Sequence, residues 1–133
     1  MAEIIRAGRP TMTPNPDYFT GTVFMDPIHS APAPARVAAV RVTFTPGART
    51  AWHKHPYGQT LYIVAGVGRF AVRGQEVQEI RAGDVVWIPP GEEHWHGAGP
   101  ETLMSHVAMQ EKDEAGSTST WLDKVTDEDY AGL

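Results

Sequence analysis

Turn-forming residues interrupt this chain at intervals too short for long helices. Pro46-Gly47, Gly66-Val67-Gly68, Gly74-Gln75, Ala82-Gly83-Asp84, Pro89-Pro90-Gly91 and Gly99-Pro100 each mark a reversal. Glycine reaches positive φ without steric cost, and proline holds φ near the value a turn needs. With thirteen glycines and eleven prolines in 133 residues, the segments between turns suit short strands. Residues 37–45 show the pattern. Ala38, Val40, Val42 and Phe44 alternate with Ala39, Arg41 and Thr43. Side chains alternate across a pleated strand, so Arg41 marks the outer face and Val40, Val42 and Phe44 the interior. Further strands are predicted over 18–25, 61–65, 69–72, 77–80, 85–88, 94–97 and 102–110. Many short strands with Gly/Pro turns indicate an all-β barrel or jelly roll.

The expected organisation is one domain over 1–133 with its barrel at about 37–110. Residues 1–17, polar and carrying Pro10, Pro14 and Pro16, read as an arm. Residues 26–36 read as an irregular connection and 111–120 as a loop. A short helix is expected within 121–130, with Thr126 as N-cap and Asp127, Glu128 and Asp129 in its first turn.

A net charge of −5 without a basic cluster argues against nucleic acid as a partner. No apolar run approaches the ~20 residues that span a membrane. The first thirteen residues lack the apolar core of a signal peptide, so the cytoplasm is the expected location. There is no cysteine, hence no disulfide and no thiolate ligand, and any metal must be held by nitrogen and oxygen.

Chemistry concentrates in His53-Lys54-His55-Pro56-Tyr57-Gly58-Gln59. On a strand, His53 and His55 point the same way, about 6 to 7 Å apart. Two imidazoles on one rigid face make half a metal site, and His94, after the Pro89-Pro90-Gly91 turn, is the third. The spacing runs Gly47, five residues, His53, one, His55, three, Gln59, six, Gly66; then Gly83, five, Pro89, one, Gly91, two, His94. It resembles both signature motifs of the cupin superfamily.

The resemblance implies a double-stranded β-helix holding a divalent metal through His53, His55, Gln59 and His94. Cupins usually carry glutamate where this chain has Gln59. With a neutral amide in that place the site keeps a charge of +2, which favours Lewis acidity and disfavours oxidation to M³⁺. Mn²⁺ is the expected ion, with Fe²⁺, Zn²⁺ and Ni²⁺ as alternatives. Residues 46–59 and 83–97, with Phe19-Thr20-Gly21-Thr22-Val23 and Val125-Thr126-Asp127-Glu128-Asp129-Tyr130, are similar to the small bacterial manganese cupins that act as hydroxynitrile lyases. That likeness implies a small-molecule cyanohydrin substrate whose hydroxyl meets the metal in an apolar pocket.

Around the expected ligands, Met104, His106, Ala108 and Gln110 share one face of the last barrel strand. His106 is the candidate general base, and Gln110 a candidate stabiliser of the leaving anion. Val40, Val42 and Phe44 form the pocket wall, with Leu61 and Ile63 as further candidates. His96 has two readings, one pointing into the pocket mouth as a substrate-pocket residue and one exposed to solvent, and exposure is the expectation. Trp87, Trp95 and Trp121 are expected to pack rather than read substrate. Trp52, on the outward face with Lys54, calls for cover by the arm or a neighbouring subunit, and with the arm it suggests a homo-oligomer, a dimer or tetramer. Rival readings are a sugar-acid isomerase, which needs an inward arginine to hold a carboxylate, a cupin dioxygenase, and a non-catalytic ligand-binding module.

Overall fold

The computed structural model describes residues 1–132. In chain order the strands are β1 (Phe19–Thr20), β2 (Val23–Ser30), β3 (Val37–Phe44), β4 (Arg49–Thr50), β5 (His53–Lys54), β6 (Gln59–Val72), β7 (Gln78–Arg81), β8 (Val85–Ile88), β9 (His94–Ala98), β10 (Met104–Glu111) and β11 (Thr120–Trp121). A short helix, α1 (Asp127–Ala131), follows. All pairings are antiparallel, and the main path runs β1-β4-β9-β6-β10-β3-β2. The result is a nearly closed barrel, the all-β architecture that the turn spacing implies.

β6 closes the barrel, and it departs from expectation. Residues 61–65 and 69–72 are not two strands with a turn between them but parts of one strand of fourteen residues. Its first half pairs with β8 and β10, its second with β7 and β9. Gly66 is the corner, at φ +77°, where the register against β10 slips between Ser105 and His106. A side chain there would collide with the Leu103 carbonyl. Glycine in this setting bends a strand instead of ending it.

The N-terminal half also differs from its reading. Residues 18–25 are not one strand, because Gly21 at φ +81° separates β1 from β2. The expected irregular connection at 26–36 begins as strand, since β2 runs on through Pro27 to Ser30. Pro27 is tolerated because β2 is the last strand of its sheet and needs a donor on one side only. The ladder shifts register between Pro27 and His29. Of the arm, Met12 bridges to Met25 and the first eleven residues are exposed.

Register places the interior. Val42 lies opposite His106 and Val40 opposite Ala108 across β3 and β10. Phe44, Leu61, Ile63, Ile88 and Met104 are fully buried at the centre of the larger apolar cluster. A smaller cluster of Trp52, Ala71, Trp95 and Val125 lies beneath the C-terminal segment.

Trp52 is therefore covered by neither the arm nor a second subunit. Its backbone exchanges hydrogen bonds with the C-terminal segment, Trp52 N donating to Asp123 O at 2.9 Å and Leu122 N to Trp52 O at 2.8 Å. The Arg73 guanidinium lies 4.2 Å over its ring. That segment ends in α1, capped by Thr126, whose Oγ1 accepts from Asp129 N at 3.1 Å. Tyr130 is held between the guanidinium groups of Arg49 and Arg69 and donates its hydroxyl to Ala98 O at 2.7 Å. Among the described residues no helix is long and apolar enough to cross a membrane.

Candidate metal centre

The two turn frames meet. Gly91 N donates to His55 O at 2.9 Å, and His53 of β5 pairs in register with His94 of β9. The imidazoles of His53, His55 and His94 then converge, with ring centroids 5.0 Å apart for His53–His55, 4.2 Å for His53–His94 and 5.3 Å for His55–His94. All three are buried.

Each ring has one nitrogen tied to a backbone carbonyl. His53 Nδ1 meets Ala51 O at 2.9 Å, His55 Nδ1 meets Thr118 O at 2.7 Å, and His94 Nδ1 meets Glu92 O at 2.9 Å. A carbonyl accepts only, so in a neutral ring each Nδ1 carries the proton and each Nε2 is left as a bare lone pair. This is how proteins orient metal-binding imidazoles. His55 Nε2 is buried without a partner. His94 Nε2 faces Gln59 Oε1 at 3.3 Å, which sets two acceptors against each other with no proton between them. A cation relieves that opposition, so this donor set fits a divalent metal.

Gln59 is held in that orientation by a second amide. Gln59 Nε2 donates to Gln110 Oε1 at 2.9 Å, and Gln110 Nε2 donates to Ala38 O at 3.3 Å. The chain of amides turns the Gln59 oxygen toward the histidines. Gln110 lines the cavity, with its amide engaged at both ends by Gln59 and Ala38.

His96 departs from its expected exposure. It is 3% exposed, because it shares the inner face of β9 with His94, and β9 is a middle strand. Its Nδ1 lies 3.0 Å from His106 Nε2, and its Nε2 is buried without a partner. Ligand-capable nitrogens of His53, His94 and His96 fall within 4.8 Å of one another. The tightest triad thus shares His53 and His94 with the predicted set but takes His96 in place of His55. The two sets differ in support: the Nδ1 atoms of His53, His55 and His94 are tied to backbone carbonyls, whereas His96 is tied to another imidazole.

Burial is the main reason that all five imidazoles resist protonation. It takes His94 and His106 down to about 4 and lowers His55. His53 and His96 are pushed well below the usual imidazole value, first by burial and then by neighbouring histidines.

Beside the cluster opens a cavity of about 400 Å³. Val40, Val42, Phe44, His96, His106 and Gln110 all line it. Leu61 and Ile63 do not; both are fully buried in the core. Arg69 and Arg73 also lie elsewhere, the first donating to Tyr130 O and the second paired with Glu93.

The Cupin domain family matches residues 40–105. The chain is 54% identical over 129 residues to the (R)-mandelonitrile lyase of Granulicella tundricola, covering 96% of this chain and 98% of that one. The chain is a cupin. A solved cupin-like protein from Thermotoga maritima superposes with a TM-score of 0.84 at 34% identity, over 95% of both chains. The polyketide cyclase RemF from Streptomyces resistomycificus gives 0.74 at 16% identity, over 98% of this chain and 90% of that one, a likeness of fold alone.

Some cavity residues of this cupin escaped the sequence reading. Trp121, expected to pack only, forms part of the wall and lies over His53 at 4.6 Å between ring centroids. Gly116, Ser117, Thr118 and Ser119 form the rim, although they lie beyond the barrel in what reads as a loop. Phe19 and Met25 complete the apolar side. Thr50 also lines the cavity, and its Oγ1 accepts from His96 N at 3.2 Å. Only the likeness of residues 19–23 to the lyase-type cupins pointed to the Phe19 region.

Proposed function

We propose that this cupin is a metal-dependent lyase that cleaves and forms cyanohydrins, with His53, His55, Gln59 and His94 holding a divalent cation, Mn²⁺ by preference. The observation that carries the reading is the neutrality of the site. Among the described residues the cavity is lined by no carboxylate, lysine or arginine, and the four proposed ligands are three imidazoles and an amide. A bound M²⁺ there keeps its whole charge and supplies Lewis acidity to a substrate oxygen. The 54% identity to a protein named (R)-mandelonitrile lyase supports the same choice.

The chain's own residues supply the rest. Phe19, Phe44 and Trp121, with Val40, Val42 and Met25, offer an aryl or alkyl group an apolar bed and exclude water from it. His96 and His106 act as a pair across their 3.0 Å contact. One proton lies between them, and a proton taken from the substrate hydroxyl at a free imidazole nitrogen is matched by a shift along that bond. Being buried, the pair is neutral near pH 7 and able to accept. Loss of the hydroxyl proton and rupture of the C–CN bond give an aldehyde and cyanide, which leaves with the proton as hydrogen cyanide. No carboxylate faces the departing anion.

A sugar-acid isomerase would need a cationic group for the substrate carboxylate, and Arg41, Arg69 and Arg73 all lie outside the cavity. A paired assay separates the readings. Metal-loaded protein is expected to release benzaldehyde from mandelonitrile and to leave unsaturated uronates unchanged. The reverse outcome would replace the lyase reading with the isomerase.

A further inference from the structure

The three carbonyl-tethered imidazoles are not tethered alike. His53 and His94 use carbonyls two residues earlier, those of Ala51 and Glu92. His55 is held instead from 63 residues away by Thr118 O, and 64 away by Ser119 Oγ at 3.1 Å. Two residues beyond Ser119, Trp121 pairs in register with His53. Its ring lies on the His53 ring at 4.6 Å and 28° and is backed by Tyr18 at 4.9 Å and 6°. One segment, 117–121, thus orients two of the three imidazoles.

That segment is a strap. β11 pairs with β5 alone. Upstream it begins at an exposed turn where Asp113 Oδ1 accepts from Ala115 N and Ser117 N, both at 2.9 Å. Downstream it is anchored by the Leu122–Trp52 bond and by Arg49, which donates to Val125 O. With Gly116 it also makes one rim of the cavity. If the strap lifts, His55 Nδ1 loses both partners, and the ring can turn or move its proton to Nε2, which removes the lone pair.

We propose that the 117–121 strap is the clasp that sets metal retention, with Thr118 and Ser119 positioning His55 and Trp121 positioning His53. The inference rests on the metal reading above. Lifting the strap releases the ion, and a ligand that fills the cavity beneath it slows that release. Where the slower release is also tighter equilibrium binding of the metal, bound metal tightens the cavity ligand by the same factor.

Hydrogen exchange on the intact chain, stripped and then loaded with Mn²⁺, tests this, with uptake verified by equilibrium dialysis. Loading is expected to slow amide exchange in 117–121 at least tenfold, and benzaldehyde in the cavity to slow metal release into excess chelator. Equal exchange with and without bound metal overturns the clasp while leaving the metal reading intact. A chain that takes up no divalent cation overturns both. Trp121→Ala should release metal at least tenfold faster, and Trp121→Phe, which keeps an aromatic ring over His53, should restore slow release. A folded Trp121→Ala that releases metal at the wild-type rate counts against the clasp. Should that variant fail to fold, the exchange comparison decides alone.

Discussion

At the scale of single residues, the site depends on which nitrogen of each ring is occupied. His53→Ala removes one of the proposed ligands and should abolish metal uptake in dialysis. His106→Ala should keep the metal and lose turnover; turnover unchanged from wild type would remove His106 from the proton transfer. Gln110→Leu frees the Gln59 amide to rotate, and we expect metal affinity to fall ~10–100-fold, the usual effect of removing a partner that orients a ligand. The buried imidazoles also fix a direction with pH. Their folded-state values are lowered, so between about 6.5 and 4 the unfolded chain binds protons that the folded chain refuses. The metal-free protein should therefore hold its full stability above pH 6.5 and lose it as pH falls toward 4, read as a falling urea midpoint. His106 alone accounts for about 3 kcal/mol of that loss. The His53/His55 pair was legible from strand alternation, while Gln59 and the grouping with His94 were implied by the resemblance to the cupin motifs. The burial of His96 was not legible, since it depends on β9 being flanked on both sides. Nor was the Gln110–Gln59 contact, which requires the register of β10 against β6.

At the scale of elements, β6 carries the largest difference between sequence and structure. Gly66-Val67-Gly68 has the composition of a turn, and turn chemistry is read from short windows. Whether such a glycine ends a strand or bends it depends on the strands alongside, here β10 before the corner and β9 after it. Gly66→Ala meets both an unfavourable positive φ and the Leu103 carbonyl. It should destabilise by about 2 to 4 kcal/mol, visible in chemical denaturation, with the core rather than the metal site as the origin. The C-terminal segment shows the converse. Residues 111–120 are polar and read as a loop, yet they supply the partner of His55 and lead into the edge strand β11. Hydrophobic periodicity carries no signal for a segment whose contribution is a backbone carbonyl.

At the scale of the whole molecule, two tryptophans exchange their expected places: Trp52, expected outward, is buried, and Trp87, expected to pack, faces outward. Trp52 is covered from within the chain, whereas Trp87 is 59% exposed. It shares the outer face of the β8-β6-β10-β3 sheet with Val85, Tyr62 and Met109, which register brings side by side. These four and Phe24 on β2 expose on the order of 500 Å² of mainly apolar surface, against the ~800 Å² that each partner contributes to a stable dimer. We propose a second copy of this chain as the occupant of this patch. Sedimentation should show a dimer or larger assembly, and Trp87→Glu should shift it toward monomer; a monomeric wild-type chain would refute this. The central claim concerns the interior. The most direct measurement follows mandelonitrile cleavage by protein first stripped with chelator and then reloaded with Mn²⁺, with His53→Ala treated in parallel. The account predicts that activity disappears on stripping and returns on reloading, and that His53→Ala shows none at either stage. Stripped protein, shown to be metal-free, that still releases benzaldehyde at the original rate would contradict it.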